Sequence, residues 1–203
     1  MAIPVAMAPT GPREAASASY PALSAGVTFS TAPFAQDVEI VGPVKAKLFV
    51  SSSTRDMDIF ATVCAFDPSG DEMTFIAAPE PKSPVTQGWL RVSQRKLDPL
   101  RSTEYLPFYP HDERAPLAPG EVYEVDLEIW PMGLALPAGS RLTLTLQGKD
   151  FERAGATGPL RGVAWFTHDD PTDRPPEMFA GTNTLHTGGQ HQSYLLLPML
   201  PVR

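Results

Sequence analysis

Residues 117–151 read LAPGEVYEVDLEIWPMGLALPAGSRLTLTLQGKDF, and this stretch decides the fold. Pro119-Gly120 marks a turn, since proline fixes φ and glycine accepts positive φ. Tyr123, Val125, Leu127 and Ile129 then alternate with Glu124, Asp126 and Glu128. Successive strand side chains point to opposite faces, so one face is apolar and the other acidic. Pro137-Ala138-Gly139 marks a second turn. Beyond it Leu142, Leu144 and Leu146 alternate with Arg141, Thr143 and Thr145. One buried face and one wet face point to antiparallel sheets.

The same pattern recurs outward. Val44, Ala46, Leu48 and Val50 alternate with Lys45, Lys47 and Phe49, in a strand expected to begin at Gly42-Pro43. Residues 59–66 (IFATVCAF) are apolar on both faces and read as a central strand. Asp67-Pro68-Ser69-Gly70 is a turn signal, with 73–77 (MTFIA) as the returning strand of a hairpin. Residues 87–92 and 193–197 complete the set. Trp130 is expected to end its strand before Pro131. Residues 97–120 are proline-rich and aperiodic and read as a long ordered loop; 151–182 form a second irregular stretch. No amphipathic helix, repeat or heptad pattern is present.

These segments, in this order and spacing, resemble the C-terminal domain of X-prolyl dipeptidyl-peptidases and cocaine-esterase-like (CocE/NonD) α/β-hydrolases. The resemblance rests on residues 26–50, 51–68, 88–98, 117–151, 168–179 and 183–201. It implies an all-β jelly-roll sandwich, similar to galactose-binding folds, that accompanies a serine hydrolase whose Ser-His-Asp machinery lies on another domain. It also implies the partner, an α/β-hydrolase catalytic domain in the same or a separate chain, and leaves a homo-oligomer open.

At 203 residues the chain suits one domain, here taken as 26–203, preceded by an Ala/Pro/Ser-rich arm or linker over 1–25. A net charge of −7 argues against nucleic acid and anionic membrane as partners. No apolar run approaches the ~20 residues of a membrane span, and no signal peptide is evident; a cytoplasmic location is the expectation. The single cysteine, Cys64, excludes an internal disulfide framework and reads as a small core residue.

No serine lies in the Gly-x-Ser-x-Gly elbow that exposes the nucleophile of an α/β-hydrolase. No catalytic residue, cofactor site or metal site is therefore assigned. His168-Asp169-Asp170 reads as a turn-capping cluster rather than a base and its acid. His186 and His191 flank a Gly-Gly turn and lack a third zinc ligand. Asp56 and Asp58 supply too few oxygens for calcium. Trp89, Trp130 and Trp165 pose a choice between packing and stacking on a sugar. The functional candidates are contact residues: Trp89, Arg91, Arg95, Arg101, Phe108 and Tyr109, on and beside the 97–120 loop, with the arginines suited to an acidic partner surface. The leading reading is a non-catalytic accessory domain that packs on a serine hydrolase and shapes its cleft. The alternative is a free-standing carbohydrate- or ligand-binding module.

Overall fold

A computed structural model describes residues 3–6, 8–9, 17–76, 82–153, 168 and 170–200. Two antiparallel six-stranded sheets face each other across one apolar core. The first holds β1 (Ile3–Ala6), β3 (Ser17–Pro21), β5 (Val38–Ser52), β9 (Tyr123–Leu136), β11 (Thr182–His186) and β12 (Tyr194–Leu197). The second holds β2 (Ala8–Pro9), β4 (Val27–Ser30), β6 (Asp58–Phe66), β7 (Glu72–Met73), β8 (Thr86–Arg91) and β10 (Arg141–Gln147). The only α-helix among the described residues is one turn, α1 (Pro176–Phe179). The all-β sandwich expected from the alternating patterns is what the chain forms.

β5 organises the first sheet. One of its edges carries β9 along most of its length; the other carries β12 at Lys45–Lys47 and β11 at Phe49–Ser52. Its inward residues Ile40, Val44, Ala46 and Leu48 meet Val125, Leu127 and Ile129 of β9 and Leu142, Leu144 and Leu146 of β10 in one core. The Pro137–Ser140 turn, with Gly139 at φ 88°, carries the chain from β9 in one sheet to β10 in the other. β6 is buried on both faces, as its unbroken apolar run predicts.

Three expectations change. β9 does not stop at Trp130, and β5 does not begin at Gly42-Pro43. The ladder pairs Val44 with Ile129 and Gly42 with Met132, so Trp130 and Pro131 together oppose Pro43. That is a β-bulge, the one place inside a sheet where prolines, lacking an N–H, cost no ladder bond. The bulge shifts the alternation so that both Trp130 and Pro131 face outward before Met132 turns in again. Second, the hairpin after β6 is short. β7 ends at Met73 because β8 occupies the rest of that edge of β6, from Asp58 to Val63; Phe75 bridges to Ser83, and Ala77 lies outside the described residues. Third, the arm reading of 1–25 does not hold where it can be checked. β3 pairs with β11 and buries Tyr20, β1 pairs with β12, and β2 pairs with β4. Short edge strands with few apolar residues carry too weak a period to be read from sequence.

Where the sheets' edges converge, β8 runs against β9. A Cβ on Gly88 would lie 2.1 Å from the Glu128 carbonyl oxygen, so only glycine permits the approach. The Thr86 hydroxyl donates to the Trp130 carbonyl at 2.8 Å, satisfying an acceptor that the bulge removes from the ladder.

Leu127 is fully buried and its neighbour Glu128 points the other way. Leu127→Ala is expected to cost about 2–5 kcal/mol and Glu128→Ala no more than about 0.5 kcal/mol, measured by chemical denaturation. Equal losses would mean the register is off by one residue.

Candidate functional site

The residues singled out in the sequence fall into three places. The first is internal. Arg95 donates to the Val92 and Ala115 carbonyls at 3.1 and 2.6 Å and lies over the Tyr123 ring. The Tyr109 hydroxyl donates to the Asp126 carbonyl, and burial pushes its ionisation well above the usual phenol range. These two pin the 97–120 loop onto the sandwich. Further backbone bonds hold it from Ala115 to Ser93, Leu117 to Arg55 and Gly120 to Ser52. The loop is ordered, as its prolines suggested, and Leu117 sits in the core.

The second place is the loop's outer end. Arg101 stacks over Phe108 at 3.4 Å from the ring centroid. Tyr105 and Leu106 then reach the stretch of β5 opposite the bulge and the segment after β12. With Val41, Pro43, Met199 and Leu200 they line an apolar groove of about 480 Å³. Val41, Leu106 and Leu200 are each more than two-fifths exposed. Of the loop residues expected from the sequence to make contacts, Arg101, Phe108 and Tyr109, none lines this groove. The Leu200 amide donates to the Glu39 carbonyl, and the Val41 amide donates to the Pro198 carbonyl. These long-range bonds form the groove's far wall, and no local pattern announces them.

The third place holds Trp89 and Arg91, on β8. Trp89 is 41% exposed and packs on Trp130, 57% exposed, with ring centroids 5.2 Å apart. Trp130 is therefore a surface residue, not core; the bulge turns it out. Trp165 lies outside the described residues. Arg91 and Arg174 converge on Asp58 beside a smaller cleft of about 250 Å³ lined also by Phe60 and His168. No sequence signal joins Asp58, Arg91 and Arg174; only the β6–β8 register and the fold of the second irregular stretch bring them together.

Both carboxylates weighed as metal ligands are engaged by arginine, and Asp56 by backbone amides as well. Asp56, buried, accepts the amides of Met57 and Ser93 and lies 3.3 Å from Arg114. His168 pairs through Nδ1 with Asp150 at 2.9 Å, and Asp170 accepts the Thr172 amide and hydroxyl and so caps its own turn; Asp169 lies outside the described residues. His186 and His191 do come together, with ring centroids 5.7 Å apart and Ser51 Oγ 2.9 Å from His186 Nε2. Among the described residues no three His, Cys, Asp or Glu side chains form a metal-binding group. Cys64 is buried, and desolvation with Glu72 nearby pushes its thiol up to about 12. No described helix is long and apolar enough to cross a membrane.

Burial, then the neighbouring His191, holds the His186 imidazole below its ordinary value of 6.5. The folded state therefore binds fewer protons than the unfolded state between that depressed value and 6.5. The contribution is fully present above 6.5 and is lost as pH falls through the folded value. Stability should fall with acidification across this window, and His186→Gln should flatten the slope in denaturant titrations from pH 7 to 5. An unchanged slope would assign the dependence elsewhere.

Comparison with known proteins places this geometry in a family. A family model described as the X-Pro dipeptidyl-peptidase C-terminal non-catalytic domain matches residues 7–196. The chain is 24% identical over 174 residues to a cocaine esterase of Rhodococcus sp., covering 85% of this chain and 25% of that protein. It is 26% identical over 128 residues to a putative serine esterase of Mycobacterium bovis, covering 61% of this chain and 19% of that one. Its fold matches the crystal structure of a CocE/NonD family hydrolase from Staphylococcus aureus with a TM-score of 0.77 and 28% identity, over 91% of this chain and 32% of the other. The chain thus spans about a fifth to a third of the length of these relatives.

Proposed function

The chain belongs to the X-Pro dipeptidyl-peptidase C-terminal non-catalytic domain family, and on that premise we propose that it acts by contact, packing on a serine α/β-hydrolase catalytic domain and shaping its cleft. The observation that carries this reading is the apolar groove at the outer end of the 97–120 loop. A groove of this size, lined by Tyr105, Leu106, Val41 and Leu200, exposes apolar surface that a free-standing domain gains nothing by leaving in water. Its walls are rigid: the loop is pinned by Arg95 and Tyr109, and the opposite wall by the bond from Leu200 to Glu39. Rigid walls reduce the entropy lost on docking. The occupant is a catalytic domain, because relatives three to four times longer than this match carry the remainder of a hydrolase. The parent reaction would be acyl transfer to water on an ester or on a peptide after proline, with the nucleophile, base and acid all outside these residues.

The exposed Trp89–Trp130 pair favours a second reading, a carbohydrate- or ligand-binding module, since adjoining aromatic faces beside polar side chains suit a sugar ring.

Two outcomes are expected. The chain alone should show no turnover of an aryl ester or an X-Pro chromogenic peptide at high protein concentration. Serine-dependent turnover, blocked by a covalent serine inhibitor, would overturn the reading. Mixed with a matching α/β-hydrolase domain, the chain should bind, and Leu106→Asp or Leu200→Asp should weaken binding at least tenfold by calorimetry. Both positions are exposed, so folding should survive. Tyr109→Ala is a poor probe because it also unpins the loop. Binding unchanged in both aspartate variants would remove the groove as the interface.

A further inference from the structure

The cleft beside Trp89 shares no lining residue with the groove and has a polar floor of its own. Asp58, 8% exposed at the start of β6, sits opposite Arg91 in the β6–β8 register. Its Oδ1 accepts Arg91 Nε at 2.9 Å, its Oδ2 accepts Arg91 Nη2 at 3.1 Å, and Arg174 Nε lies 2.8 Å from the same Oδ2. Arg174 is held from its outer side as well: its remaining nitrogens donate to the His168 and Gly148 carbonyls, and its guanidinium lies over Phe60. Arg91 is held by a buried carboxylate on one side only. Asp58 fixes its inner edge and the Phe179 ring lies 4.7 Å below its Cζ. Its outer fork meets Asp173, at 2.8 Å from Nη1 and 2.9 Å from Nη2. Asp173 is 63% exposed and rides on the short turn from Asp170 to Arg174.

We propose that the outer fork of Arg91 is a carboxylate-binding edge, that the adjoining cleft takes the flat apolar body of a small monocarboxylate, and that Asp173 is its built-in competitor. A guanidinium fork matches a carboxylate in two parallel hydrogen bonds. Here Asp58 and Phe179 pre-orient the fork, so a ligand does not have to order it. The cleft is lined by aromatic rings: Trp89 and Phe60 each pack at a tilt against His168, at 5.7 and 5.5 Å between centroids. At about 250 Å³ the cleft falls below the roughly 300–1,000 Å³ that drug-sized ligands fill, which limits the occupant to an acid of about one ring.

The charges around the fork favour an anion there. Hydrogen bonding from Arg91 holds the Asp173 carboxyl below its ordinary range, and Arg174 and Arg114 add to the effect. Asp58 is engaged by two arginines, Asp56 by Arg114 and the Met57 and Ser93 amides, and Asp150 by His168. Asp173 is the carboxylate that can leave. The pair is bidentate, but Asp173 stands 63% exposed and water competes for it; when Asp173 swings into water Arg91 keeps its grip on Asp58.

Benzoate is the probe, with benzamide as its neutral isostere and galactose as a neutral sugar, followed by the indole resonance of Trp89 (assigned with Trp89→Phe). Benzoate should shift that resonance and benzamide should not. If Asp173 occupies the fork about nine-tenths of the time, Asp173→Asn should tighten benzoate about tenfold, because a competent state populated one-tenth of the time weakens apparent affinity by that factor. Arg91→Lys, which keeps the charge and loses the fork, should abolish the shift. Equal responses to benzoate and benzamide would overturn the proposal. So would a benzoate affinity unchanged by Asp173→Asn, an exposed substitution that leaves the floor intact, or a response to galactose with none to benzoate. If Arg91→Lys perturbs folding, the Asp173→Asn result decides alone.

Discussion

The pairing of β5 with β9 sets the position of everything on this surface. Twelve registered residue pairs run from Val38 opposite Leu136 to Val50 opposite Tyr123, and the ladder breaks once, where Pro43 faces Trp130 and Pro131. Without the break, the two prolines would each leave a ladder acceptor unpaired, and the inward set on one side of it would face water. With it, both halves of β9 bury their apolar residues, and one tryptophan is turned out. The Thr86 hydroxyl caps the carbonyl the bulge frees, which ties β8 to β9. Gly88 lets the two backbones close to a separation that no side chain would permit. Trp89 and Trp130 become neighbours as a consequence of that closure.

Charge is handled in the same economical way. On the outer face of the first sheet Lys45 and Lys47 of β5 face Asp126 and Glu124 of β9, with Lys45 3.3 Å from Asp126. At the start of β6, Asp56 and Asp58 are buried and each has arginine within ion-pair distance. Buried pairs of this kind add little net stability, yet removing one member strands the other in a dry environment. Their effect is positional: Asp56 holds the 3-10 turn after β8 through the Ser93 amide, and Asp58 holds both the β8 arginine and the 168–174 segment. One short stretch of sequence therefore anchors two otherwise irregular pieces of chain.

Much of the architecture was legible because period-two alternation reports local burial. The inward residues of β5, β9 and β10, and the doubly buried β6, all follow from it. The bulge was not legible, because a proline in a strand pattern reads as a stop until its cross-strand partner is known. The edge strands β1 to β3 were missed because strands of two to five residues are too short to show a period. The contact residues were legible only in kind. Arginine and aromatic side chains near residues 89–109 stand out in the sequence as a group. Whether each faces inward, as Tyr109 and Arg95 do, or outward, as Leu106 and Trp89 do, depends on what lies across from it, and those partners come from residues 41–43, 115–130 and 168–200. Long-range register is the information that a local pattern lacks.

β5 acquires its partners late. A ribosome adds about 5–20 residues per second, and about 70 residues separate Ser52 from Tyr123, the first residue of β9. For roughly 4–14 seconds after its synthesis the longest strand of the sandwich has none of its main neighbours, and β11 and β12 follow later still. During this interval β6 can already zip onto β8, which follows it closely in sequence. The second sheet thus has a head start, and the first waits with two open edges of β-rich, apolar chain. Lys45 and Lys47, set in the middle of that strand, are the charges that discourage it from pairing with a neighbouring nascent copy before β9 arrives.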